Sequence, residues 1–163
     1  MTELGWNDQI VSLPGAHVLQ TTEWAEVKQE VGWRSTPLVW KDETERVVGA
    51  ANFMIRSVRP LGFGPKFSVG YIPRGPMLDW SDPILRKKIL DEIEQFARKE
   101  KLIFVKMDPE VEIGRGIPGE DNSIENPVGA RVSDDLQQRG WRLSPEQVQF
   151  KNTAVLNLEG TEE

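Results

Sequence analysis

The sequence contains no cysteine and a single histidine, His17. Without thiols there can be no disulfide, thiolate zinc site, iron–sulfur cluster or cysteine nucleophile. One imidazole cannot build a multi-histidine metal site, and a serine–histidine triad would have to use it. No run approaches the roughly 18 apolar residues that cross a bilayer. Residues 1–20 also lack the basic start and apolar core of a secretory signal. These absences point to a chain with no transmembrane segment, working in a reducing compartment, the cytoplasm by default. Positive charge is scarce too: 20 Lys+Arg face 26 Asp+Glu, for a net charge of -6. Coating DNA or RNA at the phosphate backbone needs a basic footprint, so no general nucleic-acid role and no DNA partner is expected.

What is present suits one folded domain. The chain has 163 residues, 38% of them hydrophobic, with six tryptophans, which argues against disorder despite 28% charged residues. A first helix is expected from Glu23 to Val31, capped by Thr21 or Thr22 and stopped by Gly32, with Trp24, Val27 and Val31 as its buried stripe. Strands follow at Thr36–Lys41 and Arg46–Arg56 around an acidic hairpin loop, then at Lys66–Ile72. The period next lengthens to 3.6. Leu85, Ile89, Ile93 and Phe96 mark one face of a helix that starts near Ser81 or Asp82 with Pro83 in its first turn and runs to about Lys101. A strand at Leu102–Met107 ends on Asp108-Pro109, and residues 110–130 read as one long acidic loop. A short helix, Ser133–Arg139, and a last strand, Val148–Leu158, close the chain ahead of a polar tail, 159–163. The order predicts an α/β (α+β) fold with a mixed central sheet and helices packed on its faces.

The charge is unevenly placed. Seven acids lie between Glu110 and Asp135, and three more in the tail. From Arg46 to Leu78 there are Arg46, Arg56, Arg59, Lys66 and Arg74 and no acid. That stretch is either a solvated basic face or the place where an anionic ligand meets positive charge.

Gly114-Arg115-Gly116-Ile117-Pro118-Gly119 matches the dinucleotide pattern GxGxxG by letter, but the context opposes it. The motif must join a strand to a helix N-terminus, whereas Pro118 lacks an amide and Glu120 and Asp121 follow with the wrong charge. Tyr71-Ile72-Pro73-Arg74-Gly75-Pro76 carries more chemistry. Two prolines stiffen the backbone around Arg74, whose planar fork suits phosphate or carboxylate, and Gly75 allows a ligand to approach closely. The alternative is an arginine that ties down its own turn. Asp108 ends a strand, where α/β sheets place ligands and catalytic groups, with Lys106 on the same face; a turn-capping carboxylate is the other reading. His17 reads as surface. Trp24, Trp40 and Trp141, on or beside predicted elements, read as core rather than as base-stacking platforms.

Four blocks together resemble the Fem-type (FemABX) peptidoglycan interpeptide-bridge aminoacyltransferases. They are Leu19-Gln20-Thr21-Thr22-Glu23-Trp24 through Lys28 and Gly32-Trp33; Tyr71 through Pro76 with Asp79; Phe104 through Pro109; and Leu136 through Trp141 with Gln149 to Leu158. The resemblance implies a GNAT-like acyltransferase domain over 1–158, with the family's second GNAT-like domain absent, as a fragment or a natural half. It implies amino-acid transfer from aminoacyl-tRNA to the stem-peptide amine of a UDP- or lipid-linked muropeptide. It makes Lys28 and Arg74 candidates for the precursor's diphosphate and peptide, and Asp108 and Tyr71 candidates for the substrate groove, with Asp108 as the group that would take the amine's proton. Charged tRNA would be bound mainly through the missing domain. A lipid-linked substrate would bring the chain to a membrane surface, and the face left exposed could self-associate. The acetyl-CoA pyrophosphate loop is not visible and no cofactor is expected. Two alternatives stay open: a non-catalytic module that binds the precursor or pairs with a separate half, and a related N-acyltransferase acting on another amine.

Overall fold

The computed structural model describes residues 5–59, 66–117, 119–150 and 152. The N-terminal segment carries a short helix α1 (Trp6–Ile10), a 3-10 turn (Val18–Gln20) and α2 (Thr22–Glu30). Strands β1 (Trp33–Lys41), β2 (Val47–Val58), β3 (Phe67–Ile72) and β4 (Met77–Leu78) follow, then α3 (Pro83–Lys99) and β5 (Leu102–Met107). A small hairpin, β6 (Gly114–Arg115) with β7 (Ile124–Glu125), precedes α4 (Pro127–Gln138). The main sheet runs β1-β2-β3-β5, with β4 on β2. The β1–β2, β2–β3 and β2–β4 pairings are antiparallel, and β3–β5 is parallel because α3 supplies the crossover. This is the mixed α/β sheet that the order of elements predicts.

The side-chain alternation of β2 builds both layers. Ala51, Phe53 and Ile55 point to one face, where they pack with Ile72, Ile89, Leu90 and Ile93 under α3, and with Val132 of α4. Ala50 points to the other face and packs with Ile10, Leu13 and Met77. Glycine is required where β3 crosses the first face: a Cβ on Gly70 would lie 2.6 Å from the Phe53 ring. Helix α3 begins as its residues dictate, with Asp82 accepting from the amides of Ile84 (2.8 Å) and Leu85 (3.0 Å) and Pro83 in the first turn.

Several expectations are corrected. In α2 the buried residue is Ala25, Trp24 is half-buried, and Val27 and Val31 of the expected stripe face outward, at 54% and 56% exposure. The stretch 110–130 is not one loop: it holds the β6–β7 hairpin and the first turn of α4. Asn126 caps Val128 and Pro127 takes the first turn, so α4 starts six residues before the expected Ser133. Its early turns lack a strong apolar stripe, and Gly129 serves close packing instead, since a Cβ there would lie 2.3 Å from the Glu112 carbonyl oxygen. The GxGxxG letters begin on β6 and lead to no helix N-terminus. His17 is half-buried and caps the 3-10 turn, its Nδ1 accepting from the Leu19 amide at 3.1 Å. Residues 148–150 are irregular, and the rest of the expected last strand, apart from Asn152, lies outside the described residues, as does the tail.

An ion-pair network fastens α4 to α3. Arg86 bonds Asp135 (2.9 Å), while Arg139 meets Asp91 (2.7 Å) and Asp135 (3.3 Å). Partial burial alone would raise the Asp135 carboxyl, but Arg86 and Arg139 outweigh it and hold it below the ordinary range. Asp91 is held low by Lys87 and Arg139. A depressed folded-state pKa contributes stability above the unfolded value, lost as pH falls through the folded one. Acidification from about pH 4 downward is therefore expected to release α4. Asp135→Asn should shrink that acid-sensitive fraction of stability in pH-dependent denaturant titrations; an unchanged acid limb would refute the assignment.

Candidate functional site

The site forms where β3 and β5 end side by side. Tyr71 and Lys106 are register partners near the ends of these parallel strands, and Asp108 follows the last residue of β5. Asp108 receives the Tyr71 hydroxyl on Oδ2 (3.0 Å) and the Arg74 backbone amide on Oδ1 (2.7 Å). The Arg74 guanidinium pairs with Glu110 at 3.1 Å, and Gln149 donates to the Tyr71 hydroxyl at 3.5 Å. Lys106 donates to the Glu146 carbonyl at 2.6 Å, so the segment around 144–149 lies over this strand end.

The Pro73–Pro76 turn carries Arg74 at φ 47°, a left-handed conformation that is sparsely populated for a residue with a side chain and costs on the order of 1–3 kcal/mol. Contacts from outside the turn offset this strain: Asp108 takes the Arg74 amide, and Gln20 donates to the Pro73 carbonyl. The Arg74 side chain is only 17% exposed, and its buried Nε has no hydrogen-bond partner among the described residues. Burial is the main influence on Asp108, and it raises the carboxyl above the ordinary range against the lowering effect of the Arg74 amide, the Tyr71 hydroxyl and the Arg74 charge. Burial likewise pushes the Tyr71 phenol above its usual value, with the Asp108 charge adding to it, although the Gln149 hydrogen bond acts in the opposite sense.

The same face of the sheet extends the site. Trp33 stands opposite Arg56 in the β1–β2 register, and Tyr71 opposite Met54 in the β2–β3 register, which puts Trp33, Arg56 and Tyr71 on one side. The Trp33 and Tyr71 rings are 6.3 Å apart, and the Arg56 guanidinium lies 5.9 Å over Trp33. Of the acid-free Arg46–Leu78 stretch, then, Arg56 and Arg74 belong to this neighbourhood.

The structure thus gathers three of the four predicted residues, Tyr71, Arg74 and Asp108, into one hydrogen-bonded group. Lys28 joins none of these bonds among the described residues; its ammonium lies 4.7 Å over the Trp24 ring in the last turn of α2. Sequence reasoning missed Glu110, Gln20 and Gln149. Glu110 stands two residues after Asp108, a spacing that marks it out from the other acids of the 110–130 stretch. No sequence signal marks Gln149 as the partner of Tyr71, 78 residues away.

A profile of the FemAB family matches residues 8–163, nearly the whole chain. The chain belongs to the FemAB family. Among its relatives is a lipid II:glycine glycyltransferase of Staphylococcus haemolyticus, 28% identical over 152 residues, which covers 92% of this chain and 33% of that protein. The Staphylococcus aureus protein of the same name is 32% identical over 107 residues, 66% of this chain and 24% of the relative. The chain spans about a third or less of the curated relatives' length. In fold it is similar to the crystal structure of FemX, with a TM-score of 0.62 and 27% identity over 80% of this chain and 29% of that one. All four sequence blocks lie within the FemAB match, which places Tyr71, Arg74 and Asp108 in the shared part. Among the described residues no helix is long and apolar enough to cross a membrane.

Proposed function

We propose that this chain supplies the precursor-binding part of an aminoacyltransferase that builds the peptidoglycan interpeptide bridge. The observation that carries this reading is the turn-mounted Arg74, braced by Asp108 and half-enclosed at the end of a sheet whose same face presents Arg56, Trp33 and Tyr71. A fixed guanidinium suits a phosphate or carboxylate oxygen, and the precursor's diphosphate offers both charge and acceptors. Lys28 adds a second cation from α2. The names of the relatives supply the reaction class: transfer to lipid II. In that reaction the stem-peptide amine attacks the ester carbonyl of aminoacyl-tRNA, a C–N bond forms, the C–O bond breaks, and the tRNA hydroxyl leaves with a proton. The amine gives up a proton, which a base can relay to that departing oxygen. Asp108 is suited to accept it, because each of its oxygens keeps a free lone pair and burial makes it a stronger base than an exposed aspartate. The tRNA donor would engage surface beyond this chain.

Arg74→Ala is expected to weaken binding of a UDP-linked muropeptide at least tenfold, about 1.4 kcal/mol, in calorimetric titration. Arg74→Gly should lose the same affinity while leaving thermal stability equal or higher, because glycine adopts positive φ without strain. Unchanged affinity in both variants removes the assignment.

One observation favours a second reading, a binding module without chemistry: both Asp108 oxygens are already engaged in structural bonds, Oδ1 with the Arg74 amide of the turn and Oδ2 with the Tyr71 hydroxyl of β3. Precursor binding without transfer in the presence of charged tRNA, with a second FemAB-type domain supplied, would select it.

A further inference from the structure

The turn that carries Arg74 is braced from the far end of the sequence. Strand β2 has ladder partners on its β3–β4 side at residues 54–58 and at 49–50. Between them the chain leaves the sheet through Pro73–Pro76, which opens a gap opposite Asn52. Gln20 fills that gap. Its side chain is fully buried; Oε1 accepts the Asn52 amide at 2.6 Å, and Nε2 donates to the Pro73 carbonyl. A primary amide is an acceptor and a donor in one plane, so it replaces the missing peptide group of a neighbouring strand. Gln20 is itself anchored through its backbone carbonyl, which accepts the Trp6 indole N–H at 2.7 Å. Packing on the turn is close, since a Cβ at Gly75 would lie 3.0 Å from Gln20 Nε2 and 3.2 Å from its Cδ.

We infer that Gln20 is a positioning residue for the anion site: its amide bridges β2 to the Pro73 carbonyl and so sets the conformation in which Arg74 is presented. The inference deepens the precursor-binding reading and rests on it for its functional consequence. Asp108 holds the turn from the β5 side and Gln20 from the β2 side, and Arg74 sits between two restraints. Release of either one lets the strained φ relax and the guanidinium swing away.

Two variants test it in the full chain. Gln20→Met keeps the volume but loses both hydrogen bonds. Gln20→Glu keeps the acceptor for Asn52 and can donate to the Pro73 carbonyl only when protonated, so it imitates glutamine at low pH and not at high pH. At pH 8 Gln20→Glu is expected to bind a UDP-linked muropeptide at least tenfold more weakly than the unmodified chain, and the gap should close as pH falls toward 5. The ratio of the two affinities is the readout, because the titration of the free ligand is common to both and cancels. Backbone amide exchange provides a measure that needs no ligand: the Arg74 amide should exchange at least tenfold faster in Gln20→Met, with β1–β2 ladder amides unchanged. If Gln20→Met does not fold, the same exchange ratio is read in Gln20→Glu between pH 5 and pH 8, corrected for intrinsic exchange. Unaltered Arg74 exchange overturns the positioning role whatever the binding result. Accelerated Arg74 exchange in a chain whose affinity for the precursor is independent of Arg74 supports the brace and overturns only the precursor reading.

Discussion

Asp108→Ala is expected to lower stability by about 2–3 kcal/mol and to abolish measurable precursor binding. The carboxylate accepts two hydrogen bonds, one from the Arg74 amide at 2.7 Å and one from the Tyr71 hydroxyl at 3.0 Å. Bonds to a charged acceptor contribute roughly 1.5–3 kcal/mol each, and a half-buried donor left unpaired adds its desolvation cost. Removing a desolvated charge offsets part of that loss, which is why the sum stays below the two bonds taken together. Asp108→Asn separates the roles. Its carbonyl can still take the Arg74 amide, and its NH2 can donate to the tyrosine hydroxyl, so the fold should be close to unchanged. The charge beside Arg74 and the proton acceptor are both gone. If Asp108 serves in transfer, the asparagine variant in the assembled enzyme should bind precursor yet lose most of its turnover. Full turnover in Asp108→Asn would reduce the residue to a brace for the turn.

The larger effect on stability is expected from Phe53→Ala. Phe53 is wholly buried at the centre of β2, with its ring edge-on to Phe96 at 4.9 Å between centroids and filling the space that the bare backbone of Gly70 leaves. Truncating a buried phenylalanine costs about 3–5 kcal/mol, from lost transfer energy and from a cavity that rigid strands cannot close. Against a total of roughly 5–15 kcal/mol, that is a large fraction, and a fall in Tm on the order of 10 °C follows for a chain of this size. Thermal denaturation followed by circular dichroism reads it. A change under about 1 kcal/mol would mean that the β2–α3 interface is not the centre of the core.

Local chemistry explains why much of this molecule can be read from residues alone. The helical period of Leu85, Ile89, Ile93 and Phe96, together with Asp82 and Pro83 at its start, specifies α3 without reference to the rest of the chain. The apolar strands and their spacing specify a mixed sheet in the same way. The rigidity of the Arg74 turn and the strand-end position of Asp108 are legible as well, since proline restricts its own backbone and its neighbour wherever it occurs. The failures have a different origin. Val27 and Val31 satisfy a helical stripe yet face solvent, because α2 rests on its Ala25 side, with Trp24 half-buried beside it. The first turn of α4 is governed by the close approach of Gly129 to Glu112, a contact that leaves no periodic trace.

The sequence by itself therefore determines the class of fold, the family and the chemical character of the site: a stiffened arginine, a strand-end carboxylate and a locally basic stretch within an acidic chain. Only the tertiary structure decides what those groups do to one another. Of the two readings open for Asp108, the structure contains the turn anchor: Asp108 accepts the Arg74 backbone amide, while the Arg74 guanidinium pairs with Glu110. Gln20 acquires its role from Asn52 and Pro73, 32 and 53 residues away. Such pairings cannot be read from spacing, because a buried amide has no preference for a partner until the folded backbone presents it with one unpaired N–H and one unpaired carbonyl.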